Sequence, residues 1–99
     1  MAYKPGKRSG WGRIADERVH QLDIGYDACG DDRYTCDELV RAADCYLNAE
    51  GPDAPMPGSW PWSWETWNPQ DRISNLARAG ALIAAEIDRR QRAEPEGSE

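Results

Sequence analysis

The chain has 99 residues, of which 18 are acidic and 12 are basic, giving a formal net charge of −6. This length allows about one small domain with a modest hydrophobic core. The acidic balance argues against binding to nucleic-acid polymers, because their phosphates are held mainly by clustered Lys and Arg. No apolar run is long enough to span a membrane and no secretion signal is recognisable, so we predict a cytoplasmic protein without a membrane partner.

Aromatic residues supply much of the apolar mass. The sequence has five Trp and four Tyr but no Phe, and Ile, Leu and Val together number only 12.

Three cysteines, Cys29, Cys36 and Cys45, cannot all pair within one chain, and they lack the C-x-x-C spacing of zinc and redox motifs. Their number and spacing favour a reducing compartment.

A first amphipathic helix is predicted over 13–23. Apolar side chains at Ile14, Val19 and Leu22 fall at helical spacing, and Gly25 is placed to end the helix. Polar residues at the remaining positions should face solvent. The outer face is expected to carry Glu17, His20 and Gln21.

The ends of the chain differ from its middle. Residues 1–12 and 93–99 are aperiodic, which predicts two flexible tails around a single domain at 13–92. After the first helix, residues 25–34 are acidic and rich in turn formers, so they are expected to form an ordered loop. No segment has a convincing strand pattern.

The second helix is marked by a capping box. Thr35 is followed three residues later by Glu38, a pair that can satisfy two free backbone N–H groups at a helix start. The helix should therefore begin near Cys36. Its apolar stripe stops before Gly51.

The third helix has the clearest pattern and is predicted over 69–92. Asn68 can cap it and Pro69 suits the first helical position. At 1.5 Å per residue it would be about 36 Å long, more than so small a core can cover, so we expect a homo-oligomer through this helix. Gly80 would let a neighbouring helix approach closely, whether from another subunit or from the second helix of the same chain. The predicted fold is all-α: three helices, with a long Pro/Trp-rich loop before the long C-terminal helix.

That loop holds four indoles. Its prolines keep it extended, and each indole offers about 150–250 Å² of surface, so one interpretation is that the rings complete the core. The other is a platform on which a planar base stacks, beside a helix N-terminus where Arg72 could hold a phosphate. Ion pairing with Asp71 or Glu65 is the alternative role for Arg72. Asn75 and Arg78 lie on adjoining faces of the helix. The four indoles are Trp60, Trp62, Trp64 and Trp67.

Catalytic chemistry has little support. His20 is the only histidine, and no nucleophile motif surrounds any Ser or Cys, so we predict no enzyme, no cofactor and no metal. Zinc bound by His20 with the cysteines has unfavourable spacing. A metal-dependent nucleotide phosphohydrolase remains an alternative, because several carboxylates could gather around a cation. They are Glu17, Asp31, Asp32, Asp37, Glu38 and Asp44.

The C-terminal half reads W-P-W and then W-N-P-Q-D-R-I-S-N-L-A-R-A-G-A-L-I-A-A-E-I-D-R. This pattern resembles a widespread group of small bacteriophage proteins, which read W-P-W and then W-W-K-P-x-D-R-R-R-D-L-V-x-A-G-A-L-I-x-A-E-I-E-R. Upstream elements of the group, E-R-x-x-Q, G-W, D-D and E-L-x-x-A-A-x-x-Y, extend the resemblance over 14–92. They are matched by Glu17, Arg18, Gln21, Gly25, Tyr26, Asp31, Asp32, Glu38, Leu39, Ala42, Ala43 and Tyr46.

The resemblance implies an accessory phage protein that acts in the cytoplasm of an infected bacterium. Its plan is similar to phage sponges such as the Lockin family, which sequester nucleotide-derived immune signals without chemistry. We therefore predict an anti-defence protein of this kind. The alternative is an acidic interaction module that inhibits a host protein.

Two departures from the group bear on the ligand. Ile73, Ser74 and Asn75 replace the usual R-R-D, which favours a mono- or diphosphate over a highly charged ligand, and Tyr26 stands where Trp is common. The predicted ligand-binding residues are Trp60, Trp62, Trp64, Trp67, Arg72, Asn75, Arg78, Arg18 and Tyr26.

Overall fold

The computed structural model describes residues 9–23 and 37–93, which form three α-helices. They are α1 (Gly10–Asp23), α2 (Glu38–Leu47) and α3 (Arg72–Ala93), with a single 3-10 turn at Trp64–Thr66 before α3. Within these residues there is no β-strand, so the all-α prediction is confirmed. Helix α3 packs against both other helices and is the central element. The predicted loop at 25–34 lies outside the described residues.

No helix in the described part of the chain combines the length and the hydropathy that crossing a membrane requires.

Helix α1 begins at Gly10, before the predicted start at 13. Ser9 causes the difference, because its Oγ accepts a hydrogen bond from the backbone N–H of Gly12 at 3.1 Å. A serine whose side chain satisfies the third N–H of a helix is a standard N-cap. Residues 9–12 therefore belong to the helix start rather than to a flexible tail.

Helix α2 begins at Glu38, later than the predicted start near Cys36. The residue before it, Asp37, has a left-handed backbone with φ of 65° and makes no side-chain capping bond. Thr35, the first half of the predicted capping box, lies outside the described residues. At the other end, Asn48 Nδ2 donates to the carbonyl of Asp44 at 2.8 Å and helps to close the last turn.

Helix α3 begins at Arg72 instead of residue 69, because Asp71 caps it in place of Asn68. The Asp71 carboxylate accepts from the backbone N–H of Ser74 at 3.1 Å and from the Ser74 hydroxyl at 2.7 Å. These two hydrogen bonds lower the pKa of Asp71 below its ordinary value, and the bond from the hydroxyl has the larger effect.

Gly80 is the point where α1 meets α3. A Cβ atom built on Gly80 would stand 2.7 Å from Cδ1 and 2.8 Å from Cγ1 of Ile14. The close approach predicted for Gly80 is therefore made within one chain. The neighbour is the first helix, and neither the second helix nor another subunit is needed to explain the glycine.

The core is small and relies on aromatic rings. The Tyr46 ring stacks on Trp67 at a centroid distance of 5.0 Å and meets Trp60 edge-on at 5.5 Å. These rings cover the alanine-rich sides of α2 and α3, so the loop supplies the bulk that Phe and aliphatic residues do not. The buried cluster contains Leu39, Ala42, Ala43, Cys45, Tyr46, Trp60, Ala79, Leu82 and Ala85.

Candidate functional site

The segment between α2 and α3, residues 48–71, contains four tryptophans, and we call it the tryptophan loop. A pocket of about 170 Å³ opens where α1, the tryptophan loop and α3 meet. Helix α1 contributes three polar side chains, α2 one tyrosine and α3 an arginine and a leucine, while the loop provides two indoles and two polar residues. We call this site the indole pocket. Its lining residues are Glu17, His20, Gln21, Tyr46, Trp60, Trp62, Thr66, Asn68, Arg78 and Leu82.

Two indoles form its apolar wall. The ring of Trp60 meets that of Trp62 edge-on, at a centroid distance of 5.3 Å and an interplanar angle of 89°. Trp60 is held in place because its Nε1 donates both to the Ser63 carbonyl and to Thr66 Oγ1, each at 3.2 Å. Thr66 in turn donates to the same carbonyl at 2.6 Å. The Trp60 half of the wall is thus fixed by hydrogen bonds within the loop, before any ligand arrives.

Arg78 is the cation of the pocket, and three neighbours position it. Its Nη1 donates to the Asn68 carbonyl at 2.5 Å, its Nε lies 3.4 Å from Oε1 of Glu17, and its guanidinium stands 5.5 Å from the centroid of the Tyr46 ring. Both charged side chains are about four-fifths buried. Because Glu17 balances the charge of Arg78, the site offers a donor and an acceptor side by side and little net charge.

Gln21 supplies an acceptor with no partner. The residue is 6% exposed, and among the described residues no donor lies within hydrogen-bonding distance of its Oε1. Leaving a buried acceptor unsatisfied costs about 1–3 kcal/mol, so most such atoms in folded proteins have a partner. Gln21 lines the pocket. A molecule that enters with an N–H or O–H group would remove this penalty.

The structure brings three of the predicted ligand-binding residues into the pocket, namely Trp60, Trp62 and Arg78. Trp67 packs behind them, where its Nε1 donates to the Ala54 carbonyl at 3.1 Å. Trp64 is 70% exposed on the 3-10 turn and does not line the pocket.

Arg72 and Asn75 instead join the end of α2 to the start of α3. Nη1 of Arg72 donates to the carbonyls of Leu47 at 2.6 Å and Ala49 at 2.9 Å. Asn75 is fully buried, and its amide bonds the backbone of Gln70 and the Ala49 carbonyl. The groups expected to hold a phosphate at the helix start are therefore used by the chain itself.

Two further predicted residues lie elsewhere. Arg18 is 3.9 Å from the Asp88 carboxylate, on the contact between α1 and α3, and is not part of the pocket lining. Tyr26 lies outside the described residues.

The polar side of the pocket comes from residues that the sequence assigned to an outer face. Glu17 and Gln21 are one helical turn apart, and His20 is beside them. The prediction that all three face solvent is wrong for Gln21, which is buried, and Glu17 is largely covered too. The tryptophan loop lies beside this face of α1 and forms the pocket with it. The periodicity of α1 cannot predict this contact, because the loop comes from a distant part of the sequence.

Within residues 9–23 and 37–93, no three His, Cys, Asp or Glu side chains lie close enough to hold a metal ion. Of the groups considered for metal binding, Cys29, Asp31, Asp32 and Cys36 lie outside these ranges.

In comparisons with known proteins, no family model, no curated protein and no solved structure matches the chain.

Proposed function

We propose that this protein binds a small nucleotide-derived molecule, with the base in the indole pocket, and holds it without chemical change. One observation carries the proposal: the buried Oε1 of Gln21 has no donor in the described chain and lines a pocket walled by two indoles beside Arg78. A planar ring with a polar edge is complementary to such a site, because its faces suit indoles and its edge suits the polar groups.

The size of the pocket supports a single base. A dry cavity of about 150 Å³ holds one benzene ring, whereas pockets that enclose drug-sized ligands measure about 300–1,000 Å³. At about 170 Å³ the indole pocket takes one ring system, and the sugar and phosphates of a nucleotide would lie at its mouth. Stacking on an indole contributes about 1–3 kcal/mol per base.

The polar groups favour an amino-bearing base. Gln21 accepts a hydrogen bond, and Arg78 donates, so together they suit an edge that has a donor next to an acceptor. The amino group and ring nitrogen of adenine form such an edge. Cytosine has one as well, but a bicyclic purine offers more surface to the indoles. We therefore take adenine as the base, with the balanced pair of Glu17 and Arg78 disfavouring phosphate inside the pocket.

The biological setting in the proposal rests on the resemblance of residues 14–92 to small bacteriophage proteins. A phage protein that captures a nucleotide-derived immune signal of the infected bacterium would need tight binding and no catalysis. The proposal accordingly includes no enzyme activity, cofactor, metal or nucleic-acid polymer, and it places the protein in the bacterial cytoplasm.

Calorimetry tests this proposal. The titrants are adenosine, AMP, adenine-containing cyclic dinucleotides and isomers of cyclic ADP-ribose, and we expect heat and a thermal shift with at least one adenine compound. Trp62→Ala should abolish that heat, whereas Trp64→Ala should leave it, because Trp62 lines the pocket and Trp64 does not. Absence of heat with every titrant would overturn the proposal.

One observation favours a second function, the inhibition of a host protein. Trp64 is 70% exposed next to Glu65, and Trp is prominent among the residues that anchor protein interfaces. Pull-down of one stoichiometric host protein by the wild type, lost in Trp64→Ala but kept in Trp62→Ala, would support this role. The reverse pattern would contradict it.

A further inference from the structure

Helix α3 has an exposed row of large aliphatic side chains. The exposed fractions are 55% for Ile73, 40% for Leu76, 47% for Ile83 and 52% for Ile87. Their spacing of three, seven and four residues is that of the apolar positions in a heptad repeat, by which helices pair with one another. We call these four residues the aliphatic stripe.

The stripe is continuous despite a missing side chain at its centre. Gly80 occupies the heptad position between Leu76 and Ile83. Ile14 of α1 packs into that space, because its Cδ1 and Cγ1 atoms lie within 3 Å of the position that a Cβ on Gly80 would take. An approaching surface would therefore meet apolar atoms along the whole stripe.

Helix α1, which packs against α3, also carries exposed apolar side chains. Trp11, Val19 and Leu22 of α1 are all exposed. At 100° per residue they lie on the side of α1 turned away from Glu17 and Gln21, which line the pocket.

The same geometry holds on α3. Arg78 and Leu82 line the pocket, and the centre of the aliphatic stripe lies on the opposite side of the helix. The apolar surface and the indole pocket are thus separate features, and either can be altered without the other.

We infer that a second copy of this chain covers the aliphatic stripe, with the two α3 helices antiparallel about a two-fold axis near Gly80. Ile73 lies seven residues before that glycine and Ile87 seven after it, while Leu76 and Ile83 lie four before and three after. A two-fold axis across the helix brings Ile73 onto the partner's Ile87, so the stripe is complementary to itself. This inference goes beyond ligand binding and does not depend on it.

The helix dipoles favour the antiparallel orientation. Antiparallel pairing opposes the two dipoles and keeps the last turn of one copy, which carries Arg90 and Arg92, away from the last turn of the other. Arg90 already forms ion pairs with Glu86 and Asp37 of its own chain, so the orientation does not depend on an ion pair between the two copies.

The extent of the surface supports a dimer. Seven large apolar side chains, each at least two-fifths exposed, lie on α1 and the stripe. Monomeric proteins rarely expose contiguous apolar patches larger than a few hundred Å², and a standard interface buries about 800 Å² on each partner.

Native mass spectrometry and light scattering test the dimer. The full-length wild type should have twice the chain mass of 11.1 kDa. Ile83→Arg and Ile87→Arg should each reduce it to a single chain with unchanged helical content, because both side chains are exposed in the monomer. Trp64→Arg, an equally drastic change of an exposed residue elsewhere, should keep the dimer. A single-chain wild type, or a dimer that survives both stripe variants, would refute the inference.

Disulfide trapping tests the orientation. In a chain whose native cysteines are replaced by serine or alanine, Ile73→Cys and Ile87→Cys are made separately. The antiparallel dimer predicts a covalent dimer when the two variants are mixed and oxidised, and none from either alone. Cross-linking of each variant alone would establish a parallel pair, and no cross-link in any sample would contradict the contact. Gln21→Met should dimerise normally, so loss of ligand binding would leave this result standing.

Discussion

Oε1 of Glu17 lies 3.4 Å from Nε of Arg78, and this ion pair joins α1 to α3 inside the indole pocket. The two residues come from distant parts of the sequence, and their charges cancel at the place where a ligand would contact the protein. The pair therefore contributes to the position of α1, together with the contact of Ile14 with Gly80, and it lowers the net charge that the pocket presents.

Glu17→Gln should change the preference of the pocket for charge. The substitution leaves the Arg78 cation without its carboxylate, so the ratio of AMP affinity to adenosine affinity should rise by roughly fivefold, about 1 kcal/mol. Calorimetric titration of both compounds measures this ratio. Glu50→Gln is the matched control, since Glu50 is exposed and does not line the pocket. An equal rise in the control would show that Glu17 has no specific role.

Arg72→Met should lower stability and leave ligand affinity unchanged. The substitution removes two hydrogen bonds to carbonyls at the end of α2, and we expect a loss of about 1–2 kcal/mol in the free energy of unfolding. Urea denaturation measures it, with Arg41→Met, at an exposed position of α2, as the control. If affinity for AMP fell while stability did not, the phosphate role predicted from the sequence would be correct after all.

Gly80→Leu should separate α1 from α3. A side chain at this position meets Ile14 at less than 3 Å, and overpacking of this kind costs about 1–3 kcal/mol. Adding Ile14→Ala should recover part of that loss, because it removes the crowding atoms. Unfolding of the two single variants and the double variant measures the coupling, and strictly additive losses would contradict the contact.

Glu86→Gln should destabilise the protein at neutral pH but not in acid. Hydrogen bonds from Arg89 and then Arg90 hold the pKa of the buried Glu86 below its ordinary value of 4.5, against the opposing effect of burial. Because the folded pKa is lowered, the stabilisation is present above the ordinary pKa and is lost as pH falls through the folded value. The variant should lose about 1–3 kcal/mol at neutral pH. Thermal unfolding measured from neutral to acid pH should show the stabilities of the wild type and the variant converging at low pH. A difference in stability that did not depend on pH would be inconsistent with the ion pairs.

Periodicity was sufficient to predict the helices, because an apolar stripe at helical spacing marks a helix whether its own chain or another surface covers the stripe. Leu39 and Tyr46 of α2 are buried, whereas the aliphatic stripe of α3 is exposed in the single chain. The ends themselves depend on single side chains. Ser9 and Asp71 cap α1 and α3, and a competing cap at Asn68 was equally plausible from the sequence.

The pocket was only partly predictable, for a different reason. The loop composition predicted that Trp60 and Trp62 bind a ligand or complete the core. Their positions, however, depend on how the loop lies across α1 and α2. Burial of Gln21 and use of Arg72 as a partner for α2 both arise from contacts between distant segments. Neither contact leaves a periodic trace in the sequence.

The most direct test of the account compares adenosine with purine riboside, which lacks the amino group, on the wild type and on Gln21→Met. Because Gln21 needs a donor, the wild type should bind adenosine at least about tenfold more tightly, a difference of about 1.4 kcal/mol, and the variant should lose that preference. Equal affinities in the wild type, or an unchanged preference in the variant, would show that the Gln21 carbonyl does not recognise the base.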